Sequence, residues 1–131
     1  MAFFNSIFGS KDSIPKENFP WVSLNQTEQV NQLTQESKTR YVLIFKHSTR
    51  CGISRFSLQN FESDFTPDPS KVSLYFLDIL NHRAISNEIA SRFDVVHQSP
   101  QVLLIKDSNV IYTESHGHIS TQEIQNLIQE H

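Results

Sequence analysis

Four apolar runs and the distances between them restrict this chain to a narrow set of folds. Tyr41-Val-Leu-Ile-Phe45, Val72-Ser-Leu-Tyr-Phe-Leu-Asp-Ile79, Val102-Leu-Leu-Ile105 and Val110 to Glu114 all have the length of strands. The first three lack regular polar alternation, which is the pattern of strands covered on both faces, so helices are required on both sides of a sheet. Segments of helical spacing supply them. Asn25 and Glu28 stand at capping-box spacing before Val30 and Leu33, in a short helix ending near Ser37. Ile53, Phe56, Leu58, Phe61 and Phe65 form a second stripe, a helix over about residues 51 to 63, stopped by Pro67-Asp-Pro69. Ile85, Ile89 and Phe93 line a third between Asn81 and Arg92. Ser120 with Glu123 opens a last helix carrying Ile124, Leu127 and Ile128.

The first two runs are separated by enough chain for a crossover helix and are expected to be parallel. The turn Lys106-Asp-Ser-Asn109 joins the last two at hairpin spacing. The expectation is an α/β fold, a mixed four-stranded sheet flanked by helices on both faces. A length of 131 residues suits one domain, expected over residues 21 to 131 after an irregular arm of residues 1 to 20 that contains Pro15 and Pro20.

A formal net charge of −3 provides no general attraction to nucleic acid or to anionic membranes, so neither is expected as a partner. No run approaches the roughly 20 apolar residues of a membrane span. The apolar start Met1-Ala-Phe-Phe-Asn-Ser-Ile-Phe8 lacks a basic leader and a long h-region and is not read as a signal peptide. It is either a peripheral docking peptide or an arm that lies on the domain or frays in solvent.

Cys51 is the only cysteine. A lone thiol argues against a disulfide-stapled secreted scaffold and fits a reducing interior, with the cytoplasm as the expected location. It follows the first strand and opens the second helix, within Lys46-His-Ser-Thr-Arg-Cys51-Gly-Ile-Ser54. Free N–H groups and the positive end of the helix dipole at such a position favour the thiolate, the form that attacks disulfides. The alternative of an inert core sulfur sits poorly with the neighbours Thr49, Arg50 and Gly52. Without a second cysteine, redox work must pass through a mixed disulfide with another molecule. Ser54 stands where a C-x-x-C motif has its second thiol, and a hydroxyl there cannot displace a bound thiol.

A strand, a cysteine at the next helix start and Pro100 opening the third run together resemble the thioredoxin fold. Within it, Phe45-Lys-His-Ser-Thr-Arg-Cys51-Gly-Ile-Ser54 is similar to the active-site segment of the monothiol bacilliredoxins, general-stress proteins of the bacillithiol system. The resemblance covers about residue 21 to the C-terminus. It implies a thiol-disulfide oxidoreductase in which Cys51 removes bacillithiol, or a similar low-molecular-weight thiol, from S-thiolated proteins. That thiol serves as co-substrate, with no bound cofactor. It also implies a cis Pro100 beside the cysteine, with the Ser99 backbone free to pair with an extended substrate.

Lys46, at the carboxyl end of the first strand, and Arg50 are candidates to hold a carboxylate of the thiol, with Thr49 beside them. His47 and Ser54 are supporting residues. Two other functions stay open. Cys51-Gly-Ile-Ser54 partly matches the motif of monothiol glutaredoxins that bridge a [2Fe–2S] cluster, and a non-enzymatic stress or interaction module would keep the fold with an idle thiol. His116-Gly-His118 is too sparse for a metal site, and a hairpin-to-helix loop explains it.

Overall fold

A computed structural model describes residues 18–130. The apolar start Met1 to Phe8, and with it most of the expected arm, lies outside the described residues. The strands are β1 (Trp21–Ser23), β2 (Tyr41–His47), β3 (Val72–Asp78), β4 (Gln101–Lys106) and β5 (Asn109–Ser115). The helices are α1 (Glu28–Glu36), α2 (Gly52–Asp64), α3 (Arg83–Phe93) and α4 (Thr121–Glu130), with a 3-10 turn at His116–His118.

One sheet holds all five strands in the order β1-β3-β2-β4-β5. β3 is parallel to β1 and β2, whereas β4 is antiparallel to β2 and β5. The expected parallel pair and hairpin are therefore present, but among the described residues the strand count is corrected from four to five. β1 is only three residues long and lies against the edge of β3, with Trp21 opposite Leu74. The β4–β5 turn places Asp107 and Ser108 at φ 53° and 67°, the left-handed pair that a tight hairpin demands.

Every residue of β2 is buried, as a strand covered on both faces must be. Tyr41, Leu43 and Phe45 pack with Leu58 and Phe61 of α2 and Ile124 and Ile128 of α4. Val42 and Ile44 point the other way, into a second core with Val30 and Leu33 of α1 and Ile85 and Ile89 of α3. This alternation decides which face receives each later residue of β2.

Two helix starts differ in an informative way. Ser120 caps α4 as its spacing predicts, its Oγ accepting from Glu123 N at 3.2 Å. Asn25 does not cap α1: the N-cap is Thr27, and the Gln29 side-chain oxygen accepts from the N–H groups of Asn25 and Gln26 at 2.8 and 3.0 Å.

Candidate functional site

Cys51 is the N-cap of α2, in extended backbone conformation and partly exposed, and its thiol makes no capping hydrogen bond. The first bond of the helix runs from Arg55 N to Cys51 O, 3.1 Å, so the N–H groups of Gly52, Ile53 and Ser54 precede it. These are the donors that a helix start leaves without intrahelical partners, gathered around the residue that carries the sulfur.

The turn into the helix is braced from beneath. Cys51 N donates to Ser48 O at 3.2 Å, and Ser48 N donates to the Ser54 Oγ at 3.0 Å. The Ser54 hydroxyl also meets His47 Nδ1 at 2.8 Å, and all three supporting side chains, of His47, Ser48 and Ser54, are buried. His47 lies over Phe76 with ring centroids 5.5 Å apart. Ser54 thus holds the turn that presents Cys51. Ser54→Ala would leave the Ser48 N–H and the His47 ring without that partner, at an expected cost of about 1–3 kcal/mol. Urea denaturation checks this, and an unchanged midpoint would show that the two bonds contribute nothing net.

The peptide bond Ser99–Pro100 is cis. Pro100 is buried and its carbonyl accepts from His116 N at 3.0 Å, which seats the His116–His118 turn against it. The β2–β4 register pairs Lys46 with Gln101. Ser99 and Pro100 lead into β4 at Gln101, so they stand at the same end of the sheet at which β2 leads into the cysteine turn. Ser99 is partly exposed, and among the described residues neither its backbone N–H nor its C=O is bonded. Its buried Oγ has no partner among them either.

Arg50 is exposed and Thr49 partly exposed, both in the turn. Lys46 is not at a ligand-facing edge. β2 continues through His47, so Lys46 falls on the α1 and α3 side of the sheet and is fully buried. Its Nζ lies 3.4 Å from Ser86 O and 3.3 Å from His97 Nδ1. An enclosed amine turned toward α3 does not serve as a surface contact for a ligand carboxylate, which corrects the expectation for this residue.

Burial lowers the Lys46 pKa to about 8 from its ordinary 10.5. His97 is lowered too, by burial first and then by the charges of Lys46 and Arg83. Its Nδ1 faces both the Lys46 amine and the Ser86 hydroxyl, the latter at 2.9 Å. An ammonium can only donate, so Nδ1 accepts and the ring proton sits on Nε2.

Below about pH 8 the amine is charged both folded and unfolded, and its burial cost is constant at about 3 kcal/mol. Between about pH 8 and 10.5 the folded state releases its proton first and the cost disappears. The stability of the wild type relative to Lys46→Met is expected to rise across that window. Denaturation of both proteins at pH 7 and pH 10 measures it, and a gap independent of pH would refute the account.

Sequence reasoning missed Ser86, His97 and Gln101 as parts of this region. Their signal was faint: His97 and Gln101 flank Ser99-Pro100, and a strand ending at Phe45 hid the inward turn of Lys46. Among the described residues no group of three or more His, Cys, Asp and Glu side chains is placed to hold a metal ion. None of their helices is long and apolar enough to cross a membrane.

Known proteins share this fold. A thioredoxin-fold protein provisionally assigned as an oxidoreductase superposes with a TM-score of 0.70 at 26% identity, covering 82% of this chain and 92% of its own. Thioredoxin from Malassezia sympodialis gives 0.64 at 23% identity, with 90% of this chain and 94% of the other covered. Trypanosoma brucei brucei thioredoxin gives 0.64 at 17% identity, with 88% and 99% covered. The last two likenesses speak for the fold, which is that of thioredoxin. The family model for monothiol bacilliredoxin BrxC matches residues 22–124, nearly all of the described domain. The chain belongs to the monothiol bacilliredoxin family.

Proposed function

We propose that the protein removes bacillithiol, or a similar low-molecular-weight thiol, from S-thiolated proteins through Cys51. The observation that carries this reading is the single thiol at the α2 N-cap, with a hydroxyl at the position of a second thiol and that hydroxyl engaged with Ser48 and His47. Membership of a monothiol redox family supports it.

In the first step the Cys51 thiolate attacks the small-thiol sulfur of a protein mixed disulfide. A bond forms between that sulfur and Sγ, the protein disulfide breaks, and the protein leaves as thiolate. In the second step free bacillithiol attacks the same sulfur, leaving as a small symmetric disulfide and restoring the Cys51 thiolate. The unpaired backbone of Ser99 beside Pro100 offers an extended substrate an edge to pair with. Arg50 and Thr49, in the turn before the thiol, are the contacts proposed for the small thiol. The lone cysteine suits work in a reducing compartment such as the cytoplasm.

The test is intact-protein mass and rate after mixing with a bacillithiolated model polypeptide, with a glutathionylated one in parallel. Rapid appearance of one thiol on Cys51 is the expected result, and its identity reports the preferred thiol. No adduct with either would overturn the reading. Ser54→Ala is expected to keep the exchange within about threefold at a temperature where it is folded, since the hydroxyl resolves nothing. Complete loss in that folded variant would overturn the monothiol scheme.

A further inference from the structure

β2 ends in two residues that brace opposite sides of the site. His47 faces α2 and holds the cysteine turn through Ser54. Lys46 faces α3 and holds something else: its amine bridges Ser86 O in α3 and His97 in the connection from α3 to Pro100. That connection, residues 94 to 100, has no regular secondary structure and carries the partly exposed Ser99. Its ends are tied by backbone bonds, Val95 N to Ala90 O at 3.1 Å and His116 N to Pro100 O at 3.0 Å, and its middle is held by side chains. Ser86 Oγ and Lys46 Nζ meet the His97 ring, and the buried Gln101 side chain donates to Val96 O at 3.0 Å and accepts from Gln98 N at 3.3 Å.

Lys46 and Gln101 are direct partners across β2 and β4. Both therefore hold the same loop from neighbouring points of the rigid sheet, at residues 96, 97 and 98. Outward from those anchors come Ser99, with its unbonded backbone, and Val96, 78% exposed. An amine that has been dehydrated in order to grip a loop is a costly device for packing alone, since a methionine fills similar volume without that cost.

We infer that Lys46 is a positioning residue for polypeptide substrates, fixing through His97 the loop whose Ser99 edge pairs with the substrate strand. The inference rests on the exchange reading above and deepens it. Lys46 touches neither thiol nor substrate. Its effect is on the recognition of a chain, not on the reactivity of the sulfur.

The experiment compares wild type, Lys46→Met, His97→Ala and His97→Asn in three measurements: folding by circular dichroism, alkylation of Cys51 by iodoacetamide, and steady-state de-thiolation of a bacillithiolated single-cysteine polypeptide. In Lys46→Met and His97→Ala, KM for the polypeptide is expected to rise about tenfold with kcat and alkylation within about twofold. His97→Asn keeps an acceptor near the place of Nδ1 and is expected to recover most of the wild-type KM. A wild-type KM in folded Lys46→Met or His97→Ala overturns the inference. So does an alkylation rate that falls in step with kcat/KM, because Lys46 would then act on the thiol. Should Lys46→Met fail to fold, the two His97 variants decide alone. A wild type that transfers no thiol overturns the exchange reading itself, an outcome visible before any variant is compared.

Discussion

Cys51→Ser is expected to reduce thiol transfer by at least about a thousandfold, to the uncatalysed background, the scale on which loss of a nucleophile falls. A serine hydroxyl does not ionise near neutral pH and does not displace sulfur from a disulfide, so no residual route exists through position 51. Stability is expected to move the other way. Cys51 is an N-cap whose thiol caps nothing, and it is partly exposed, so little packing is lost with the sulfur. Serine is a preferred N-cap, able to accept from the N–H groups two or three residues on, and a gain of up to about 1 kcal/mol is expected. Mass spectrometry of the exchange reaction and a urea titration measure the two effects together. Transfer surviving in the variant would remove Cys51 from the mechanism. A large fall in stability would mean that the sulfur is a packing element.

The placement of this cysteine was legible because three local signals agree: a continuously apolar strand, a thiol, then apolar residues at helical spacing up to Phe65. The strand–helix junction follows from adjacent residues and needs no tertiary knowledge. β1 gives no such signal. Trp21-Val-Ser23 is too short to show a period, and it is a strand only because the edge of β3 is there to pair with it. Lys46 was misjudged for a related reason. A charged residue after five apolar ones reads as the end of a strand, yet the sheet register carries β2 on to His47 opposite Asp78, and the pleat then sends Lys46 inward. The C-x-x-C spacing alone puts Ser54 near the thiol. That its hydroxyl turns to Ser48 N and His47 depends on the path of the turn, which no spacing rule contains.

The second large effect concerns what keeps the thiol's helix on the sheet. Phe61→Ala is expected to cost about 3–5 kcal/mol, a substantial part of the roughly 5–15 kcal/mol that holds such a domain folded. Phe61 is 1% exposed and stands on α2, facing β2. Its ring centroid is 5.4 Å from that of Phe45, 5.8 Å from Trp21 and 4.9 Å from Phe65, on which it is stacked. Truncation opens a cavity lined by rigid rings that cannot collapse into it, and it removes the aromatic pairs as well as the buried area. Phe56 provides the contrast on the same helix. At 66% exposure it buries little, and Phe56→Ala is expected to stay within about 0.5 kcal/mol of wild type. Chemical denaturation of the two variants in parallel tests the assignment, and equal effects would mean that the buried rings do not anchor α2. Because β2 leads into the turn and α2 carries the cysteine as its cap, the Phe45–Phe61 contact joins the two elements that aim the sulfur. In folded Phe61→Ala at low temperature, the alkylation rate of Cys51 should therefore shift from that of the wild type as the helix start samples more than one position, whereas Phe56→Ala should keep the wild-type rate.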